Sequence, residues 1–182
     1  LIKNFFEKYN LKTNIHWKLL IKKFNSYCNL YKQKKIKNKS LSSKIILGGA
    51  QIGNLYGINN KSKMDYDDIK KLSSFTKIAG IYGIDTARDY PNSEKLIGKY
   101  FSNNKNLNIF TKFSNKKDNL KGDSKINNFL RDSINKSRQN LKPLKIQCLY
   151  VHNLSNDIEL NLKIFKKLFF LKNKYKINKI GL

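Results

Sequence analysis

Three features of the sequence predict an α/β fold built on parallel strands. From Lys44 onward, short β-rich runs alternate with segments whose apolar residues recur at helical spacing. Asn92, Ser124 and Gly80 stand where the intervening helices should begin or end. Three successive strand-like runs each finish in an ionisable residue. Strands separated by helices need crossover connections, which make neighbouring strands parallel. The alternation alone allows either an open doubly wound sheet or a (β/α)8 barrel.

Lys44-Ile45-Ile46-Leu47 is the first strand and ends in Gly48-Gly49. Ile69, Leu72, Thr76 and Ala79 then share a helical face, with Gly80 at a left-handed C-cap. Ile81 to Ile84 is a strand ending at Asp85. Asn92-Ser93-Glu94 opens a helix through Leu96, Ile97 and Tyr100, the Asn capping it and the Glu complementing its dipole. Leu107 to Phe110 is a strand ending at Thr111-Lys112. Ser124 is the N-cap expected before Ile126, Phe129, Leu130, Ser133 and Ile134. Ile146 to Val151 is a strand ending at His152. Leu160, Ile164, Leu168 and Leu171 form the next helical face, and Ile177 to Leu182 begins a fifth strand.

The first 42 residues read differently. Ile15, Trp17, Leu19, Leu20, Ile21 and Phe24 suit a short amphipathic helix, and the polar run from Lys32 to Ser40 suits a solvated linker. The expected organisation is a helical segment and linker over 1–42, the tail of a preceding domain, and one α/β unit over 43–182. The chain opens on Leu1 and stops at Leu182 just after Ile180-Gly181, so it reads as a fragment of a longer polypeptide.

With 40% hydrophobic residues, including 11 Phe and 10 Tyr, the chain can bury a sizeable core, which argues against disorder along its whole length. Its net charge of +26 raises nucleic-acid binding. The basic residues, however, are mostly Lys and are dispersed among Asn, Ile, Phe and Tyr, as AT-rich codon usage would produce. A binding stripe needs them on one face with Arg among them, so nucleic acid is disfavoured as a partner. Cys28 and Cys148 are far apart and have neither metal-ligand nor redox spacing, so no metal site is expected. No apolar run reaches the length of a membrane span, and the first six residues are too short for a signal-peptide core. The expectation is a soluble cytoplasmic protein.

The strand ends carry the chemistry. Asp85, Lys112 and His152 end three successive strands, and in a parallel α/β fold such ends converge on one rim, the active-site face of a barrel. One Lys after a strand says little in so basic a chain, and one His there is more often structural. Three at equivalent ends, with Tyr90 just beyond the second strand, form a set. A Tyr hydroxyl protonates poorly at neutral pH unless its anion is stabilised. An adjacent ammonium lowers its pKa, and a carboxylate holds the ammonium in place. His152 can donate to, or orient, an oxygen on which negative charge develops. Gly48-Gly49-Ala50-Gln51-Ile52-Gly53 resembles a phosphate loop superficially, but no helix follows it directly.

The stretch Gly80-Ile81-Tyr82-Gly83-Ile84-Asp85-Thr86-Ala87-Arg88-Asp89-Tyr90-Pro91-Asn92-Ser93-Glu94-Lys95-Leu96-Ile97-Gly98 closely resembles the signature of the aldo/keto reductases. In that signature a strand ends in Asp-Thr-Ala, a Tyr follows five residues after the Asp, and Ser-Glu and Leu-Gly come next. Leu47 to Gly53 resembles the family's first strand and loop. Thr111-Lys112 and Val151-His152-Asn153 occupy the places of its lysine and histidine strands, and Lys179-Ile180-Gly181 that of its fifth. The resemblance implies a (β/α)8 barrel, here truncated after about the fifth strand, since a barrel takes about 250 residues. It also implies reduction of a small aldehyde or ketone by NADP(H) or NAD(H). In that reading Tyr90 is the general acid, Lys112 depresses its pKa, Asp85 anchors Lys112 and His152 orients the substrate. Gly49, Ala50 and Asp85 border the nicotinamide. Two positions depart from the pattern. Pro91 replaces the usual Gly, which pushes Tyr90 toward an extended backbone, and Leu154 replaces a common proline. The rival reading is a non-catalytic barrel fragment or basic binding module that keeps the motif as ancestry.

Overall fold

A computed structural model describes residues 45–56, 63–114, 120 and 122–181. The expected segment 1–42, with Cys28, lies outside the described residues, as do Lys44 and Leu182. Among the described residues nine elements alternate: β1 (Ile46–Gly48), α1 (Tyr66–Ala79), β2 (Gly83–Asp85), α2 (Ser93–Phe101), β3 (Asn108–Phe113), α3 (Asp123–Leu141), β4 (Lys145–Val151), α4 (Ile158–Lys174) and β5 (Lys179–Gly181).

All neighbouring strands are parallel, and they follow one another in sequence order, β1-β2-β3-β4-β5. A doubly wound sheet reverses its strand order at a switch point, whereas a barrel adds each new strand on the same side. The unbroken order is therefore that of a barrel wall, and it resolves the choice that the alternation left open. The β3–β4 register slips between Ile109 and Phe110, so that Ile109 faces Ile146 but Phe110 faces Cys148. The additional residue on β4 is a local irregularity of the kind that bends a strand.

The helices form because their sequences cap and bury them. In α1, Asp65 Oδ1 accepts from the Asp68 amide at 2.7 Å, while Ile69, Leu72, Thr76 and Ala79 are buried. Its C-terminus closes on Gly80 at φ 64°, with Gly80 N–H donating to the Lys77 carbonyl and Ile81 N–H to that of Thr76. These are the paired bonds of a Schellman motif. Asp157 caps α4 in the same way as Asp65, accepting from the Leu160 amide at 3.0 Å. Leu160, Ile164, Leu168 and Leu171 are its buried face.

Two caps differ from expectation. Helix α3 starts one residue before Ser124: Gly122 holds the N-cap position and Asp123 is the first helical residue. The Asp123 carboxylate sits in the first turn and accepts from Lys167 Nζ on α4 at 3.0 Å. Asn92 does hold the N-cap of α2, but its backbone is left-handed and its side chain makes no capping bond.

The core lies between the sheet and the helix layer. Along β3, Ile109, Thr111 and Phe113 are buried, and the Phe113 ring meets Phe129 of α3 edge-on at 5.9 Å. Strand alternation sends Phe110 and Lys112 to the opposite face, where Phe110 meets Tyr82 at 6.0 Å. Lys112 thus points away from the helices. Helix α2 lies so close to the end of α3 that a Cβ at Gly98 would collide with the Asn140 carbonyl. No described helix is long and apolar enough to cross a membrane.

Candidate active site

Strand β2 ends at Asp85 and Lys112 lies near the end of the adjacent β3, so their side chains rise from neighbouring strands on one face. Lys112 Nζ donates to Asp85 Oδ1 and Oδ2, both at 2.7 Å, and to the Thr86 carbonyl at 3.0 Å. An ammonium has three protons, and these bonds use all of them. Tyr90 stands above the pair, its ring centroid 5.7 Å from Lys112 Nζ. His152 follows β4 directly, and its amide donates to the Phe113 carbonyl at 2.8 Å, continuing the β3–β4 ladder. Its ring meets Tyr90 at 5.8 Å and 89°, and Tyr56 closes the other flank at 6.4 Å. The structure therefore brings Asp85, Tyr90, Lys112 and His152 together.

Tyr90 is held by the loop that carries it. Arg88 N–H donates to the Lys112 carbonyl at 2.9 Å, and Tyr90 N–H to that of Ala87 at 3.1 Å. Ser93 N–H then donates to the Tyr90 carbonyl at 3.1 Å, with Asn92 between them at φ 60° and ψ −5°. This is a type II turn, with Pro91 at the position where its fixed φ fits and Asn92 at the one needing positive φ. The proline expected to disturb Tyr90 is accommodated for that reason.

Beneath the loop runs a buried polar chain. Ser93 Oγ donates to the Gly49 carbonyl at 3.0 Å, which leaves Thr86 Oγ1, at 2.8 Å, as the donor to Ser93. Gly49 N–H donates to the Asp85 carbonyl at 2.7 Å. Both polar groups of Gly49 are thereby engaged within the protein, so Gly49 can shape a cofactor surface but has little to offer it in hydrogen bonding. Ala50 is half-buried beside it, and its carbonyl accepts from Asn54 Nδ2 at 3.2 Å. The glycine-rich loop is no phosphate cradle here. A turn links Ile52 to Gly49, Ile52 is buried, and Gly53 at φ 85° packs beneath Leu96 and Pro91.

Two functional neighbours were not anticipated from sequence. Glu94 is 3% exposed and accepts from Thr111 Oγ1 at 2.8 Å and Asn140 Nδ2 at 3.1 Å, tying α2 to β3 and α3. Asp89 Oδ2 lies 3.5 Å from His152 Nδ1.

The electrostatics also depart from expectation. Burial pushes the Tyr90 hydroxyl above its ordinary pKa, and Asp85, Tyr56 and Asp89 add to that rise. The depression expected from Lys112 is not the net result, because its ammonium is already bound to the Asp85 carboxylate and the nearby charge is largely neutralised. Tyr90 is accordingly a neutral, proton-bearing donor at physiological pH. Among the described residues, no three His, Cys, Asp or Glu side chains group as metal ligands.

The donor set suits a reaction partner that brings its own electrons. Tyr90 can give a proton, Lys112 and His152 can stabilise negative charge, and none of these side chains can supply a hydride. A reduced nicotinamide, the cofactor aldo/keto reductases generally use, would supply that chemistry.

Known structures share the fold of this chain. An aldo-keto reductase described as putative, from Pseudomonas aeruginosa, superposes with a TM-score of 0.61 at 23% identity, over 76% of this chain and 54% of its own. A thermostable aldo-keto reductase in complex with the inhibitor epalrestat gives 0.59 at 21%, over 81% and 52%. The holo form of an aldo-keto reductase from Bacillus halodurans gives 0.57 at 18%, over 75% and 44%. The chain spans about half the length of these structures, and at such identities the likeness concerns the fold. No curated protein matches the sequence. The sequence profile of the aldo/keto reductase family matches residues 44–182, most of the chain, and the chain belongs to that family.

Proposed function

We propose that this chain carries the proton-donating site of an NAD(P)H-dependent reductase that converts small aldehydes or ketones to alcohols. The observation that carries the reading is the Lys112–Asp85 pair, bidentate at 2.7 Å, beneath Tyr90 and beside His152. The hydride for the carbonyl carbon would come from a reduced nicotinamide held beside these residues. Tyr90 gives its hydroxyl proton to the carbonyl oxygen as negative charge builds there. Lys112 lies close enough to stabilise the phenolate left behind, and Asp85 fixes the ammonium so that no reorganisation is needed at that moment. His152 borders the same space and orients the oxygen. Gly49, Ala50 and Asp85 border the nicotinamide, and either NADP(H) or NAD(H) suits these residues. The grouping supports this reading over that of a binding module with a relict motif, for which the four side chains had no need to meet.

The test is steady-state oxidation of NADPH and NADH by the natural protein with a panel of small aldehydes. Tyr90→Phe removes the transferable proton and keeps the ring. Turnover should fall by roughly 10²–10⁴-fold, the usual contribution of a general acid, with cofactor affinity nearly unchanged. Near-normal turnover in Tyr90→Phe would mean that another group donates the proton.

A further inference from the structure

His152 Nδ1 is buried and has no hydrogen-bond partner, although its ring forms one wall of the site. A buried imidazole nitrogen left without a partner costs free energy, so such groups in native proteins call for an explanation. The ionisable group that approaches it is the Asp89 carboxylate, at 3.5 Å. Asp89 also sits directly before Tyr90, on the loop stitched to β3 by the Arg88–Lys112 backbone bond. We propose that Asp89 is a positioning residue that receives the Nδ1 proton of His152 and so fixes the tautomer and orientation of the ring. The role of the ring rests on the proposed function; the pairing itself does not.

The chemistry follows from the two nitrogens. A neutral imidazole carries one N–H, and the hydrogen bond made by one nitrogen decides the state of the other. With Asp89 accepting from Nδ1–H, the neutral ring presents the Nε2 lone pair to the substrate side, able to accept from an alcohol hydroxyl. When the ring is protonated, Nε2–H becomes a donor to a carbonyl oxygen and Asp89 balances the added charge. Without Asp89, the Nδ1 proton loses its acceptor and the ring its anchor. At 3.5 Å the pair is longer than a formed hydrogen bond, as contacts in substrate-free sites commonly are before they tighten.

The tautomer of His152 makes the pairing directly observable. Long-range proton–nitrogen spectra of the natural protein, labelled with nitrogen-15, distinguish Nδ1–H from Nε2–H, and the signals lost in His152→Gln are those of His152. At a pH where the ring is neutral, His152 should be mainly Nδ1–H. Asp89→Ala should shift it toward Nε2–H, and Asp89→Asn, which keeps an oxygen acceptor, should restore much of the Nδ1–H form. Asp89 is exposed, so neither change should disturb folding. In the reductase assay, at a pH where the His152 ring is protonated, Asp89→Ala should raise KM by about tenfold or more, the weight of one charge-assisted hydrogen bond, with a smaller change in kcat. Nε2–H in the unaltered protein, or one tautomer ratio for wild type and Asp89→Ala alike, would overturn the proposal. Absence of reductase activity in the unaltered protein would instead refute the proposed function, while the spectra still decide the pairing.

Discussion

Lys112→Met separates the two contributions of the lysine, because methionine keeps much of the stem and removes the charge. The lost ammonium made three bonds, two to Asp85 at 2.7 Å and one to the Thr86 carbonyl at 3.0 Å. Hydrogen bonds to charged groups contribute about 1.5–3 kcal/mol. Asp85 is 40% exposed and can rehydrate, so the stability cost should fall at the low end of that range. The larger effect is on Tyr90. A unit charge 5.7 Å from the ring centroid, at an effective dielectric of about 20, favours the phenolate by about 3 kcal/mol. With the ammonium gone the Asp85 carboxylate acts on the phenol unopposed, so the Tyr90 titration should move upward. Ultraviolet titration of tyrosinate, taken as the difference between Lys112→Met and Lys112→Met/Tyr90→Phe, reads that shift. A weaker acid donates less readily, and turnover should fall by about tenfold or more. A Tyr90 titration unmoved or lowered in Lys112→Met would refute the claim that this ammonium stabilises the phenolate.

Two further outcomes follow from the packing and the ionisation. Gly98→Ala should destabilise the fold: the helix-propensity gain of about 1 kcal/mol is outweighed by overpacking of about 1–3 kcal/mol where the new methyl meets the Asn140 carbonyl. Urea unfolding of Gly98→Ala at or above the wild-type midpoint would contradict this. Tyr150, whose hydroxyl is pushed up to about 12 chiefly by the neighbouring Cys148 thiol and then by burial, favours the folded state while protonated. A folded-state pKa above the unfolded value gives stability that is complete below pH 10 and lost as pH rises toward about 12. The difference in unfolding midpoint between wild type and Tyr150→Phe should therefore change across that window, and a constant difference would exclude the effect.

The elements were legible because periodicity and caps report local structure directly. Ile69, Leu72, Thr76 and Ala79, or Leu160, Ile164, Leu168 and Leu171, are buried on the faces their spacing predicts. Barrel and doubly wound sheet share the same alternation, so only strand order could separate them. Ser124 misled because a serine before an apolar face is a fair N-cap, yet Asp123 already occupies the first turn. Glu94 looked like a dipole partner, although it shares the spacing of Ile97, Gly98 and Phe101 and is buried with them. That signal was available. Asp89 offered none: an acidic residue between Arg88 and Tyr90 has no pattern that points to a histidine two strands away. The pKa of Tyr90 was misjudged for a related reason, since a charge counted from sequence does not reveal which neighbour neutralises it.

The signature Asp85-Thr86-Ala87 through Ser93-Glu94 acts as one mechanical unit, in which residues without a chemical role set the positions of those that have one. Thr86, Ser93 and Gly49 form a buried chain that locks the end of β1 to the start of α2. Thr86 N–H donates to the Phe110 carbonyl at 2.7 Å and Arg88 N–H to that of Lys112 at 2.9 Å, extending the β2–β3 ladder into the loop. Glu94 binds Thr111, the neighbour of Lys112, from the helix side of the same strand. Lys112 and Tyr90 are thus fixed relative to one another from two directions, by the loop above β3 and by the helix behind it. In the proposed reaction Tyr90 gains from such rigidity, because a general acid displaced by an ångström loses much of its effect. The spacing from Asp85 to Tyr90 is then a requirement of geometry: it is the length of chain that leaves the strand, bonds twice to β3, turns at Pro91-Asn92 and returns Tyr90 over the lysine.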